Sequence, residues 1–220
     1  MSKLFLRGSL GFARMSFAAT LASYSFAGYH PYLSSTCAPD YQAIGVNVSD
    51  FARSRTLQAQ MDLGGFTATG WPENENILIP LNVDYYFGFT IAPEAGMVIS
   101  LTSLQFDETG FNNGIRMFAL RSSIDGFSQN IYTITRPLIQ TTIPRTFTLD
   151  STFSNLSGPV TFRLYGYEAL SSGGGWSVSN FQIIGSAVPE PSAVVLSAIS
   201  GLVLMTYRRR NIVAVKQSDK

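Results

Sequence analysis

The sequence predicts an all-β fold: an antiparallel two-sheet sandwich with a jelly-roll-like strand order, with a simpler Greek-key sandwich as the alternative. From about Asn76 onward, short runs of β-branched and aromatic residues place apolar side chains at every second position. Turn-forming residues separate these runs, and no segment between them has a helical period. Because parallel strands need long crossover connections, usually helical, the pattern favours antiparallel pairing.

Seven runs carry the alternation, and each ends at a turn signal such as Pro93–Gly96, Asp125–Gly126 or Gly173–Gly175. They are Tyr85–Ile91, Val98–Phe106, Ile115–Arg121, Asn130–Arg136, Arg145–Leu149, Pro159–Glu168 and Trp176–Ile184. Residues 28–75 are less regular, and a short helix over Ala52–Met61 stays open. We therefore expect one β-sandwich domain over residues 28–187.

The composition excludes some classes of protein. Apolar residues make up 45% of the 220, which excludes disorder along the whole chain. Residues 28–187 hold seven Arg, no Lys and twelve Asp or Glu, a net charge of −5. A nucleic-acid partner is excluded on this basis, because it calls for a basic face.

The N-terminus has the order of a secretory signal peptide. Lys3, Arg7 and Arg14 precede an apolar run over residues 15–26 that is too short to span a bilayer. Ser25-Phe26-Ala27 then offers small residues at positions −3 and −1 of a cleavage site. The sequence predicts a signal helix within residues 1–27 and export of the remainder; a buried or amphipathic first helix is the alternative.

The C-terminus combines three features in a fixed order. Val188-Pro189-Glu190-Pro191-Ser192 predicts an extended, accessible segment, because two prolines disfavour regular structure. Residues 193–207 are uncharged and apolar, which predicts a short transmembrane helix, and Arg208-Arg209-Arg210 follows. The positive-inside rule places the arginines and the tail 211–220 in the cytoplasm, so the preceding domain lies outside.

This tripartite order over residues 188–210 resembles a PEP-CTERM sorting signal. The resemblance implies a bacterial envelope or extracellular protein, held for a time in the inner membrane and recognised there by an exosortase. It makes Pro189, Glu190 and Pro191 part of a substrate for that enzyme. The family's chains commonly stop soon after the basic cluster, whereas Asn211–Lys220 follow here. An ordinary C-terminal membrane anchor is the alternative.

Two internal segments are similar to stretches that recur in secreted PEP-CTERM domains. They are Phe118–Phe127, and Phe162–Tyr167 with the glycine-rich turn and Trp176 that follow it. The resemblance implies a β-sandwich of undefined ligand and brings no active site with it.

No catalytic residues, metal ligands or cofactors are predicted. His30 is the only histidine and Cys37 the only cysteine, so a histidine-rich zinc site and an internal disulfide are excluded. Asp107 and Glu108 adjoin on one strand and should point to opposite faces, so we expect solvated acids rather than a catalytic pair. A calcium site at Asp107, Glu108 or Asp125 stays open.

Two sets of side chains are candidates for ligand binding. Tyr165, Tyr167 and Trp176 could line one sheet face as an aromatic platform, although core packing is the more common role of such residues. Arg121 and Asp125 flank Ser122–Ile124 as a loop ion pair or a polar sugar-binding rim. We expect a structural or adhesive protein of the exopolysaccharide layer; a carbohydrate-binding module is the alternative, and a secreted glycoside hydrolase is a third possibility.

Overall fold

The structure, a computed structural model, describes residues 18–60, 64–73, 81–111, 113–137 and 139–190. The chain divides into two compact units, Met1–Val188 and Pro189–Lys220, and the second is described only at Pro189 and Glu190. The described residues form fourteen strands and two 3₁₀ turns, Ser123–Asp125 and Ser151–Phe153. The strands are β1 (Ala19–Tyr24), β2 (Thr36–Cys37), β3 (Tyr41–Gln42), β4 (Val46–Val48), β5 (Phe51–Arg53), β6 (Gln58–Ala59), β7 (Phe66–Thr69), β8 (Tyr86–Pro93), β9 (Met97–Gly110), β10 (Ile115–Ser122), β11 (Tyr132–Thr135), β12 (Thr142–Thr148), β13 (Val160–Ala169) and β14 (Trp176–Pro189).

Two antiparallel sheets form the sandwich. Sheet 1 has the order β12-β9-β14-β1-β3, with β7 also paired to β14 and β6 paired to β7. Sheet 2 has the order β11-β10-β13-β8-β5-β2, with β4 also paired to β8. The prediction of an all-β, antiparallel, two-sheet sandwich is confirmed. From β8 to β14 the chain passes repeatedly between the sheets, as it does in double-sheet Greek-key folds.

The core is built from aromatic rings on the inner faces of both sheets. In β8, Phe87, Phe89 and Ile91 are buried, which confirms the alternation predicted for this run. Phe181 of β14 lies 5.0 Å from Phe89 and 5.3 Å from Phe51, measured between ring centroids. Such edge-to-face and tilted contacts add to the free energy gained by burying the rings.

The N-terminal third differs from the sequence expectation. Residues 52 and 53 belong to β5 and residues 58 and 59 form β6, so the helix left open over Ala52–Met61 is absent from the described part of that segment. Residues 19–24, expected in a signal helix, form β1 instead. Its hydrogen-bonding partner is β14, and a long-range partner of this kind cannot be identified from local sequence.

The predicted terminal segments lie mostly outside the described residues. These undescribed parts include residues 1–17, Pro191, Ser192, the apolar span 193–207 and Arg208–Arg210. Among the residues that are described, no helix is long and apolar enough to cross a membrane. Val188 and Pro189 complete β14, and Pro189 and Glu190 are exposed.

Candidate functional site

A groove of about 340 Å³ lies at one end of the sandwich, where the two 3₁₀ turns face each other. One wall is the end of β10 and the connection from β10 to β11, and the other wall follows the end of β12. Its volume is near the lower end of the ~300–1,000 Å³ range usual for ligand sites. The lining residues are Ser122, Ile124, Asp125, Gln129, Asn130, Ile131, Asp150, Thr152 and Phe153.

The lining combines apolar surface with hydrogen-bonding groups. Phe153 is buried and stacks on Phe162 at 5.4 Å between centroids, so it belongs to the core beneath the groove. Ile124 keeps 40% of its surface exposed. Carboxylates, amides and hydroxyls surround these apolar side chains, and among the residues that the structure describes no Lys or Arg lines the groove. This mixture suits a neutral polyhydroxylated ligand, whose hydroxyls need partners and whose ring faces are weakly polar.

Arg121 holds the connection that forms the first wall. Its Nε donates to Asn130 Oδ1 at 2.6 Å, and its Nη1 donates to the Phe127 carbonyl at 2.9 Å. Asn130 in turn donates from its Nδ2 to Thr133 Oγ1 of β11 at 3.0 Å. Both ends of residues 127–130 are thereby tied to sheet 2, which lowers the entropy that the wall would lose on binding a ligand.

A second arginine, Arg163, holds the same connection by contact with two aromatic rings. The Arg163 guanidinium carbon lies 4.2 Å from the centroid of Tyr86 and 4.1 Å from that of Phe127, close enough for cation–π attraction on both sides. Gly88 is the cross-strand partner of Arg163, and a Cβ at Gly88 would lie 3.0 Å from the Phe162 carbonyl oxygen. The glycine therefore suits the close approach of the two backbones beside Arg163.

Phe127 occupies a strained backbone position. Its φ of +62° is uncommon for a bulky residue and costs free energy that other contacts must offset. The offsetting contacts are the hydrogen bond from its N–H to the Ser122 carbonyl, the bond that its carbonyl accepts from Arg121, and its ring contact with Arg163. Strain maintained in this way is typical of sites where one loop conformation is required.

The Asp125 carboxylate is held inside the connection. It accepts a hydrogen bond from the Gln129 N–H at 2.8 Å and one from Ser128 Oγ at 3.1 Å. Desolvation acts to raise the pKa of Asp125, but these hydrogen bonds outweigh it and hold the pKa below its ordinary value. The group therefore stays ionised, which suits a hydrogen-bond acceptor and not a general acid.

Arg121 and Asp125, the two predicted rim residues, have separate roles and do not form an ion pair with each other. Arg121 pairs with Asn130 and Phe127 instead of Asp125, and it positions the wall from behind. Asp125 lines the groove itself, together with Asp150, whose Oδ1 accepts from the Thr152 N–H at 2.9 Å. Sequence reasoning missed Gln129, Asn130 and Thr152, because residues of these types are common in any turn.

The predicted aromatic platform is corrected. Tyr165 and Trp176 are fully buried, and they lie in different sheets. Tyr165 is on the outer face of sheet 2, where Tyr86 covers it at 5.6 Å between centroids and Arg121 lies 5.6 Å from its ring. Trp176 is in the core, 4.9 Å from Phe118. Tyr167 alone of the three is partly exposed, and burial raises its pKa.

Glu108 has a role that the sequence did not indicate. It is fully buried, and three residues donate hydrogen bonds to its carboxylate. Arg136 Nε binds Oε2, Arg145 Nη2 lies 2.6 Å from Oε1, and Trp176 Nε1 donates to Oε2 at 3.0 Å. Arg136 continues the backbone from β11 of sheet 2, whereas Glu108, Arg145 and Trp176 belong to sheet 1, so the cluster joins the sheets.

Glu108 and Asp107, two of the acids considered for metal binding or catalysis, already bind other side chains of the protein. Glu108 is neutralised by two arginines, and Asp107, on the opposite face as predicted, accepts from Asn180 Nδ2 at 2.8 Å. Within the described ranges, no three His, Cys, Asp or Glu side chains form a potential metal site. Burial raises the pKa of the half-buried Cys37 thiol, which lowers its reactivity.

A smaller groove lies on the outer face of sheet 1. Its volume is about 190 Å³, and its lining includes Gln105 of β9 and Thr146 of β12, which are cross-strand partners. It has no clamped loop, and its walls are the strands themselves. It shares Gln, Asn, Asp and Thr side chains with the larger groove and differs by including Arg145, so its Gln105 and Thr146 provide an internal control.

No family model and no curated protein matches this chain. Among solved structures, it is similar to the K1 cleaved adhesin domain of Lys-gingipain from Porphyromonas gingivalis, at 11% identity and a TM-score of 0.35, covering 76% of this chain and 97% of that one. It is also similar to a family two carbohydrate esterase from Cellvibrio japonicus, at 13% identity and a TM-score of 0.32, covering 80% and 36%. The carbohydrate-binding module CtCBM11 gives 17% identity and a TM-score of 0.32, covering 79% and 98%. With TM-scores this low, none of these likenesses bears on the function of the chain.

The buried cluster predicts that Glu108→Gln strongly destabilises the fold. The substitution leaves the buried Arg136 guanidinium and the partly exposed Arg145 guanidinium without a carboxylate, and breaking a buried pair in this way costs about 3–5 kcal/mol. Asp107→Asn is the matched control, because Asp107 is the neighbouring acid on the outer face of β9. This substitution should alter the free energy of unfolding by less than about 0.5 kcal/mol. Urea unfolding followed by tryptophan fluorescence measures both. Equal stabilities for the two variants would contradict a structural role for the Glu108 cluster.

Proposed function

We propose that this chain is an exported adhesive protein whose β-sandwich binds extracellular polysaccharide in the 340 Å³ groove. The observation that carries the proposal is a polar groove whose one wall is held in a single conformation by Arg121 and Arg163. An ordered wall loses little conformational entropy on binding, so a few hydrogen bonds to sugar hydroxyls can give useful affinity. Ile124 and Ile131 supply apolar surface for the ring faces.

We propose that the groove binds polysaccharide and does not hydrolyse it. Two carboxylates, Asp125 and Asp150, line the groove, and glycoside hydrolases use such a pair. One member of that pair must carry a proton as general acid, which requires a raised pKa. The lowered pKa of Asp125 favours the ionised form instead, and Asp150 already accepts a hydrogen bond from the Thr152 N–H as a turn cap.

The C-terminal sorting signal supplies the second part of the proposal. It is supported by the order of motif, apolar span and arginines over residues 188–210. The exposure of Pro189 and Glu190 at the end of β14 is compatible with recognition by an exosortase. The domain would then be delivered to the cell envelope or to the polymer matrix, where a polysaccharide ligand is abundant.

Replacement of two groove side chains should abolish most of the binding. Gln129 and Thr152 are exposed, lie on opposite walls and make no side-chain hydrogen bond to other described residues, so Q129A/T152A should fold normally. Two lost hydrogen bonds at about 0.5–1.5 kcal/mol each predict a roughly tenfold loss of affinity. A glycan array on the full chain identifies the ligand, and titration calorimetry measures the change.

The matched control is Q105A/T146A, which removes the same residue types from the smaller groove. It should bind like the unmodified chain. If no glycan on the array binds, or if both double variants lose affinity equally, the proposed binding groove is wrong.

Deletion of residues 190–210 tests the sorting signal. The deletion keeps β14 complete, so the domain should fold and be exported, but it should appear in the medium instead of the envelope fraction. Immunoblots of the two fractions measure this distribution in a bacterium that carries an exosortase. Envelope retention identical to that of the full chain would contradict the sorting proposal while leaving the groove unaffected.

A further inference from the structure

The described lining of the 340 Å³ groove carries negative charge and no positive charge. Asp125 lies on the wall formed by the connection from β10 to β11, and Asp150 lies on the wall that follows β12. Residues 28–187 hold no lysine and seven arginines, all within the described ranges, and none of these arginines lines the groove. The smaller groove differs, because its lining includes Arg145 as well as Asp107.

The two arginines that hold the first wall contact aromatic rings of sheet 2 and its connection. The Arg121 guanidinium carbon lies 5.6 Å from the ring centroid of Tyr165, on the outer face of the sheet. The Arg163 guanidinium lies between the rings of Tyr86 and Phe127. Neither arginine is part of the groove lining, so a ligand in the groove meets the carboxylates first.

Both carboxylates can accept further hydrogen bonds from a ligand. Asp125 and Asp150 are exposed. The bonds that Asp125 accepts from Ser128 and Gln129 both reach Oδ2, and Asp150 accepts from the Thr152 N–H at Oδ1. An ionised carboxylate accepts about four hydrogen bonds, so each group keeps unused capacity. Desolvation acts to raise the pKa of Asp125, but the loop hydrogen bonds lower it overall, which favours the charged form.

We propose that the groove selects a polysaccharide with free amino groups, that is, a polymer of hexosamines without N-acetyl groups. An ammonium group offers three N–H donors and a positive charge, which complement two carboxylates that only accept. An N-acetyl group is uncharged, and its carbonyl oxygen would face other acceptors. A polymer of uronic acids would bring like charge into the groove. The inference rests on the proposed function, because it names the ligand class of the same groove.

The test compares matched glycans on the full chain by titration calorimetry. The probes are oligomers of N-acetylated hexosamines in several linkages, the same oligomers without their acetyl groups, and oligouronates. Two exposed ion pairs predict roughly tenfold tighter binding of the de-N-acetylated member of a pair. The oligouronates should bind most weakly. Added salt should reduce the difference within a pair, because it screens exposed charges.

D125N/D150N should bind both members of each pair equally. Asn caps a turn about as well as Asp, and its amide oxygen can accept the same loop hydrogen bonds, so this variant should fold. D84N/D107N is the matched control, because it makes the same change of net charge at two acids outside the groove. It should keep the full preference for the de-N-acetylated oligomer.

Equal affinity of the unmodified chain for both members of a pair, or tighter binding of an oligouronate, would overturn the inference. Loss of the preference in D84N/D107N would do the same, because the preference would then come from the overall charge of the domain. A neutral glycan that binds without any gain from an amino group, and that Q129A/T152A binds more weakly, would overturn this inference and support the proposed function. Failure of every glycan to bind would contradict both.

Discussion

The contact of the Arg163 guanidinium with two aromatic rings is the interaction on which the candidate site depends. Tyr86 fixes the arginine against sheet 2, and Phe127 then packs on the arginine, at a backbone φ that it would not adopt by itself. Arg121 completes the arrangement through the Phe127 carbonyl and Asn130. The groove wall is thus shaped by the sheet beneath it, and binding needs little further ordering.

The sandwich has two polar clusters, one buried between the sheets at Glu108 and one exposed at the proposed binding groove. Glu108 and Arg136 are buried, and their ion pair connects the two sheets. The groove residues make few contacts with one another and remain available to a ligand. Asp125, Asn130 and Asp150 are the exceptions, because their side chains already form hydrogen bonds within the two walls.

Local alternation was sufficient to predict the strands from β8 to β14, because in most of them one face is more buried than the other. The same reasoning failed for β1, whose small and apolar residues have the composition of a signal peptide; only its pairing with β14 distinguishes the two interpretations. It also failed for Glu108, because Arg136 and Arg145 lie 28 and 37 residues away in sequence. Tyr165 and Tyr167 occupy equivalent positions in the alternation, and their different exposure depends on the neighbouring Arg121 and Tyr86.

Chemical-shift mapping shows where on the chain a polysaccharide binds. Titration of the isotope-labelled chain with the best-binding oligosaccharide should shift amide resonances of Ser122–Ile131 and Asp150–Phe153 and leave those of β9 and β12 unchanged. Shifts centred on Gln105 and Thr146 would instead place the ligand in the smaller groove and contradict the account.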